Sequence, residues 1–137
     1  MKQLFGKCKQ LFFPHQRVGT PKGVESAVHA VRAFVQNEKT VNKVLLKVDF
    51  KNAFNQIRRD VVLLKVKNLV PEIYSFVYQC YATSSDLFFG DTYKIESQEG
   101  VQQGDPLGPF LFSLGSMDLI EPCQSELKVF YLDNGTW

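Results

Sequence analysis

Lys43-Val44-Leu45-Leu46-Lys47-Val48-Asp49-Phe50 is a short, β-branched run bounded by polar residues, and it predicts a strand that ends near Asp49. A second run, Leu127 to Leu132, predicts another strand. Asp133-Asn134-Gly135 then turns the chain back, with Asn-Gly as the pair that two-residue hairpin loops prefer. Outward from these strands the periodicity becomes helical. Val24, Ala27, Val28, Val31, Phe34 and Val35 recur at helical spacing, with Glu25 at the positive end of the helix dipole. A helix is expected from Arg58 to Leu69, ended by Val70-Pro71. Another is expected from Glu72 to about Ala82, with Ile73, Phe76, Val77 and Cys80 on one face. Leu87-Phe88-Phe89 and Thr92 to Glu96 flank Gly90-Asp91 as a hairpin, and Pro109 opens a mostly apolar helix through Ile120. Residues 1–13 place Leu4, Phe5, Leu11, Phe12 and Phe13 among lysines, a short amphipathic helix that Pro14 stops. The order helix, strand, two helices, hairpin, helix, hairpin predicts an α+β fold with a mainly antiparallel sheet and helices on one face.

A chain of 137 residues fits one domain, and 45% hydrophobic with 22% charged residues is ordinary globular composition. No apolar run reaches the roughly 18 residues a bilayer crossing needs, so a soluble chain with no membrane partner is expected. The basic start lacks the apolar stretch and cleavage site of a secretory signal, which points to an intracellular protein, with nucleus and cytoplasm both open. Cys8, Cys80 and Cys123 are odd in number, far apart and without a CxxC pair, so no disulfide partner and no zinc site are expected. Residues 1–43 hold eight Lys/Arg against Glu25 and Glu38, while residues 44–137 hold eight against twelve acids. A basic segment leading into an acidic one suits phosphate binding at one place and metal ions at another, and a solvated basic helix explains it equally well.

Asp49 and Asp133 are the candidate pair. Two acids ending adjacent antiparallel strands can converge at one sheet edge, where hard oxygen ligands hold Mg2+ beside phosphates. An Asp at a strand end is more often a turn or cap residue, so neither one alone decides. Gly19-Thr20-Pro21-Lys22-Gly23 does not have the spacing of a phosphate loop, and no Ser sits in a GxSxG elbow.

Three windows, in matching order and separation, resemble the palm motifs of reverse transcriptases, the RNA-directed DNA polymerases. Lys47-Val48-Asp49-Phe50-Lys51-Asn52-Ala53-Phe54-Asn55 is similar to the first. Gly100-Val101-Gln102-Gln103-Gly104-Asp105-Pro106-Leu107-Gly108-Pro109-Phe110-Leu111-Phe112 is similar to the second, and Val129-Phe130-Tyr131-Leu132-Asp133-Asn134 to the third. The stretch from Pro14-His15-Gln16 to His29 resembles the region before the first motif. The likeness runs from about Leu11 onward and is nearest to retrotransposon enzymes without long terminal repeats.

The resemblance implies a truncated, palm-like α+β fold. Residues 1–137 would be a partial reverse transcriptase domain, with 1–43 the end of the fingers and 44–137 the central palm. It implies nucleotidyl transfer to a primer 3′-hydroxyl, with Mg2+ (Mn2+ as an alternative), an RNA template, a DNA primer and deoxynucleoside triphosphates. Asp49 and Asp133 would be catalytic and bind metal, and Phe50 would lend its backbone carbonyl. Lys51, Ala53 and Phe54 would face the nucleotide, with Phe54 as the gate against a ribose 2′-hydroxyl. Ala and Phe in sequence are also common core residues. Gln103 and Gly104 would contact nucleotide and template. Gly108 stands where relatives carry Ser, and glycine is also an acceptable N-cap. Asn134 stands where the family has a second acid, so weaker Mg2+ binding is expected. With so little of the fingers and no thumb, the chain reads as a fragment with weak or no polymerase activity. The alternative is a dead remnant acting as a nucleic-acid-binding module. Absent neighbours are expected to leave apolar surface on the helix after Pro109.

Overall fold

The computed structural model describes residues 6–7, 10–12, 14–39 and 42–137. Its elements are α1 (Gly23–Gln36), β1 (Lys47–Asp49), α2 (Ala53–Gln56), α3 (Arg59–Leu69), a 3-10 turn (Pro71–Ile73), α4 (Tyr74–Tyr81), β2 (Ser85–Phe89), β3 (Tyr93–Ser97), α5 (Gly108–Ile120), β4 (Val129–Tyr131) and β5 (Asn134–Thr136). The strands form a three-stranded antiparallel sheet in the order β1-β5-β4 and a separate β2-β3 hairpin, so the expected α+β class is the one observed. The helix expected over residues 1–13 falls largely outside the described residues, although 10–12 are helical. No helix among the described residues is long and apolar enough to cross a membrane. Contacts divide the chain into two compact units, residues 1–51 with 117–137, and residues 52–116.

In the first unit, Phe130 is 1% exposed and organises the sheet. Its ring stacks with Phe50 at 6.4 Å and with Trp137 at 5.1 Å between centroids. The expected turn over Asp133-Asn134-Gly135 is displaced. Tyr131 pairs with Asn134, so the two turn residues are Leu132 and Asp133, and Gly135 lies inside β5. The reason is steric, because a Cβ on Gly135 would stand 2.2 Å from Phe130 Cε1. Glycine serves here to let a ring lie on the backbone rather than to turn the chain. Gly135→Ala is expected to lower stability by about 1–3 kcal/mol, read as a lower urea midpoint. An unchanged midpoint would mean the ring yields without cost.

In the second unit, α3 buries Val62 and Val66, with Val70 following, an i, i+4 stripe. Asp60 in its first turn and Lys67 in its last complement the helix dipole. On α4 the buried residues are Val77 and Tyr81, whereas Phe76 is 59% exposed and Cys80 is exposed. The expected stripe is corrected by one step round the helix, since the Tyr81 hydroxyl has a partner inside the unit. Residues 110–116 of α5 are buried without interruption, and the apolar surface expected on this helix is confined to its last turn, where Leu119 is 64% exposed. More apolar surface lies on the β2-β3 hairpin. Its register pairs Leu87 with Ile95 and Phe89 with Tyr93, all four on one face and all more than half exposed. The other face carries the Lys94–Asp86 ion pair at 2.9 Å.

Candidate functional site

The acids come together in the first unit through strand register. Asp49, the last residue of β1, lies directly across from Asn134, the first of β5, and Asn134 lies across from Tyr131 of β4. Directly opposed residues share a face, so Asp49, Asn134 and Tyr131 form one row across the sheet. The ladder extends one step further, where the Phe50 amide donates to the Asp133 carbonyl at 3.1 Å. Asp49, Phe50, Asp133 and Asn134 therefore occupy one corner. Asp49 and Asn134 are exposed there, and Asp133 is half-buried. The Asn134 Nδ2 donates to Asp133 Oδ1 at 3.2 Å, a bond that a second carboxylate could not make.

Among the described residues no cluster of three or more His, Cys, Asp or Glu gathers. The corner nonetheless offers two carboxylates, an amide oxygen and a backbone carbonyl, all hard oxygen donors of the kind Mg2+ takes. The residues present fit that ion by chemistry, with one fewer charge than three acids would bring. A groove of about 310 Å³ between α1 and this sheet is lined by Val28, Val31, Tyr131 and Asn134, with Arg32 and Lys47 also on its walls.

The turn that presents Asp133 is unusual. Leu132 has φ 56, a left-handed conformation uncommon for a bulky residue. Gln16, 3% exposed, grips it from the other end of the chain. The Gln16 Nε2 donates to the Leu132 carbonyl at 3.1 Å, and the Leu132 amide donates to Gln16 Oε1 at 2.9 Å.

In the second unit, the residues expected to face a nucleotide gather round a cavity of about 330 Å³. Phe54, Gln102, Gln103, Gly104, Asp105 and Pro109 line it, and Lys51 and Ala53 do not. Phe54 on α2 stacks on Phe112 of α5 at 4.6 Å and an interplanar angle of 9°, so one ring face is spent on packing. Gly104 has φ 93, and a Cβ there would meet nothing within 4 Å, so the backbone conformation rather than crowding demands glycine. Asp105 shapes the loop. Its Oδ1 accepts from the Leu107 amide at 2.8 Å and its carbonyl from the Gly108 amide at 2.9 Å, which closes the start of α5 without a serine at 108. Its Oδ2 accepts from the Tyr81 hydroxyl. Burial, and then the bond to Asp105, pushes that hydroxyl up to about 12.

Gln16, Arg59, Tyr81 and Asp105 hold these two groups in place, and motif spacing marks none of them for that work. Arg59 did carry a signal, because it falls on the same helical stripe as Val62 and Val66, where a charge has no reason to be unless it is partnered.

The family model described as reverse transcriptase (RNA-dependent DNA polymerase) matches residues 2–136. No curated protein was found to match the chain.

Proposed function

The chain belongs to the reverse transcriptase family, RNA-dependent DNA polymerases, and on that premise we propose that Asp49 and Asp133 are its catalytic pair. One observation carries the reading: the register that sets Asp49 across from Asn134 also ties Phe50 to Asp133, so two strand ends 84 residues apart present their acids at one corner. In this reading the primer 3′-hydroxyl attacks the α-phosphorus of a deoxynucleoside triphosphate, the new P–O bond forms, and pyrophosphate leaves. Asp49 and Asp133 would hold Mg2+, or Mn2+, with Phe50 and Asn134 as further oxygen donors. Such an ion would lower the pKa of the attacking hydroxyl and neutralise charge on the phosphates.

The chain's own groups do the rest. Phe54, Gln103 and Gly104 bound a cavity whose volume falls in the range of small-molecule sites, which supports the reading that the Phe54 ring would act as the gate against a ribose 2′-hydroxyl. Arg32 and Lys47 on the wall of the α1 groove offer positive charge to template or primer phosphates. The likeness of the three motif windows to enzymes of retrotransposons without long terminal repeats supports the reading that this chain comes from such an enzyme, extending a DNA primer on an RNA template.

Primer extension on poly(rA) with oligo(dT) and Mg2+ tests the reading. Weak extension is expected from the whole chain and none from Asp49→Ala. Extension that survives the substitution would overturn the assignment. Salt-sensitive RNA binding without extension, indifferent to Mg2+, would make the chain a nucleic-acid-binding module instead.

A further inference from the structure

His15 and Arg17 lie beside β4 in a parallel bridge. The Phe130 amide donates to the His15 carbonyl at 2.7 Å, and the Arg17 amide donates to the Phe130 carbonyl at 2.9 Å. Those two bonds fix the backbone of Gln16, and its side chain then reaches the turn between β4 and β5. There one carboxamide satisfies both backbone groups of Leu132, donor and acceptor at once. Few side chains can do this. A carboxylate has no proton to donate, a hydroxyl is too short to bridge both groups, and an apolar residue satisfies neither.

Leu132 needs such a hold. A non-glycine residue at φ 56 persists where its surroundings over-determine it, and such residues cluster at functional turns. Released from Gln16, Leu132 is free to return to an ordinary conformation, and the next residue, Asp133, would swing with it. We infer that Gln16 is a positioning residue: its carboxamide locks the Leu132–Asp133 turn so that the Asp133 carboxylate stays beside Asp49. This rests on the reading of Asp133 as a metal ligand. Gln16 touches neither metal nor substrate and acts only through Leu132.

The test uses the whole chain with three variants, Gln16→Met, Gln16→Glu and Asp133→Asn. Amide hydrogen exchange at Leu132 reports the lock, and Mn2+ affinity by electron paramagnetic resonance reports the corner. Circular dichroism confirms that each variant is folded, with Gln16→Met keeping the volume of the buried side chain. The expected result is loss of Leu132 protection in Gln16→Met, with Mn2+ affinity down about 10- to 100-fold, the range seen when groups behind a metal ligand are removed. Gln16→Glu keeps the acceptor and retains part of the protection. Asp133→Asn loses Mn2+ affinity while Leu132 stays protected, which a merely structural role for Gln16 would not separate. Unchanged Leu132 protection in both Gln16 variants overturns the inference, as does lost protection with Mn2+ affinity intact. A wild-type chain without Mn2+ affinity instead overturns the metal-ligand reading and with it the positioning role, whatever the exchange shows.

Discussion

Arg59→Met is expected to destabilise the chain by about 3–5 kcal/mol, as a lowered urea midpoint, because the guanidinium is the fastener of an entire loop. Arg59 is 8% exposed. Its Nε donates to the Gly100 carbonyl at 2.9 Å and its Nη1 to the Ser97 carbonyl at 2.9 Å and the Thr83 carbonyl at 3.4 Å. The Nη2 donates to Ser97 Oγ at 2.8 Å and the Glu99 carbonyl at 3.1 Å, and the cation lies 5.5 Å from the Tyr81 ring centroid. Each of these acceptors is neutral, so the charge is stabilised by converging dipoles and a ring face. Methionine fills much the same length but leaves several carbonyls without a donor, at about 1–3 kcal/mol for each one that water cannot reach. Arg59→Lys should recover only part of the loss, since one compact ammonium cannot span acceptors that a planar fork reaches together. A loss below about 1 kcal/mol in Arg59→Met would show that water replaces the guanidinium and that the loop needs no fastener.

Asn134→Asp is expected to trade stability without metal for stability with it. The substitution removes the Nδ2 donor to Asp133 Oδ1 and sets a third carboxylate beside Asp133 and across from Asp49. In the absence of a cation the like charges repel, and the variant should melt below the wild type. With Mg2+ the extra charged oxygen strengthens binding by about 10- to 100-fold, and the melting point should rise more steeply with Mg2+ concentration than in the wild type. The measurement is a thermal melt across a Mg2+ series. Equal Mg2+ dependence in both chains would mean that residue 134 does not take part in holding the ion.

Most elements and their order were legible because they depend on local pattern. The helix α3, the apolar α5, the β2-β3 hairpin and the strand before Asp49 all follow from spacing, proline and glycine, whereas the short α2 was not expected. What was not legible is set by contacts between residues far apart in the chain. Asn134-Gly135 carries the favoured hairpin signal, yet the turn forms at Leu132-Asp133, because the Phe130 ring claims Gly135 and Gln16 claims Leu132. Both facts belong to a packed interior, and no window of neighbouring residues contains them. Arg59 and Tyr81 follow the same rule, as their partners lie on the segment from Thr83 to Asp105, which includes the end of β3 and the loop after it. The site residues divide likewise. Their types and motif windows were readable, whereas the directness of the Asp49–Asn134 pairing required the register.

The division of the chain into a unit of residues 52–116 and a unit of 1–51 with 117–137 has a consequence for the order of folding. The first of these is continuous, and its helices can close on local contacts while synthesis proceeds. The acidic corner joins β1 to strands made some 80 residues later, and the Gln16–Leu132 link spans 116 positions. Closing such long loops is slow, so the corner is completed late, after residues 129–136 have been made. Until then β1 waits with an open edge, which makes the nascent chain most vulnerable to wrong pairing at the strand that carries Asp49.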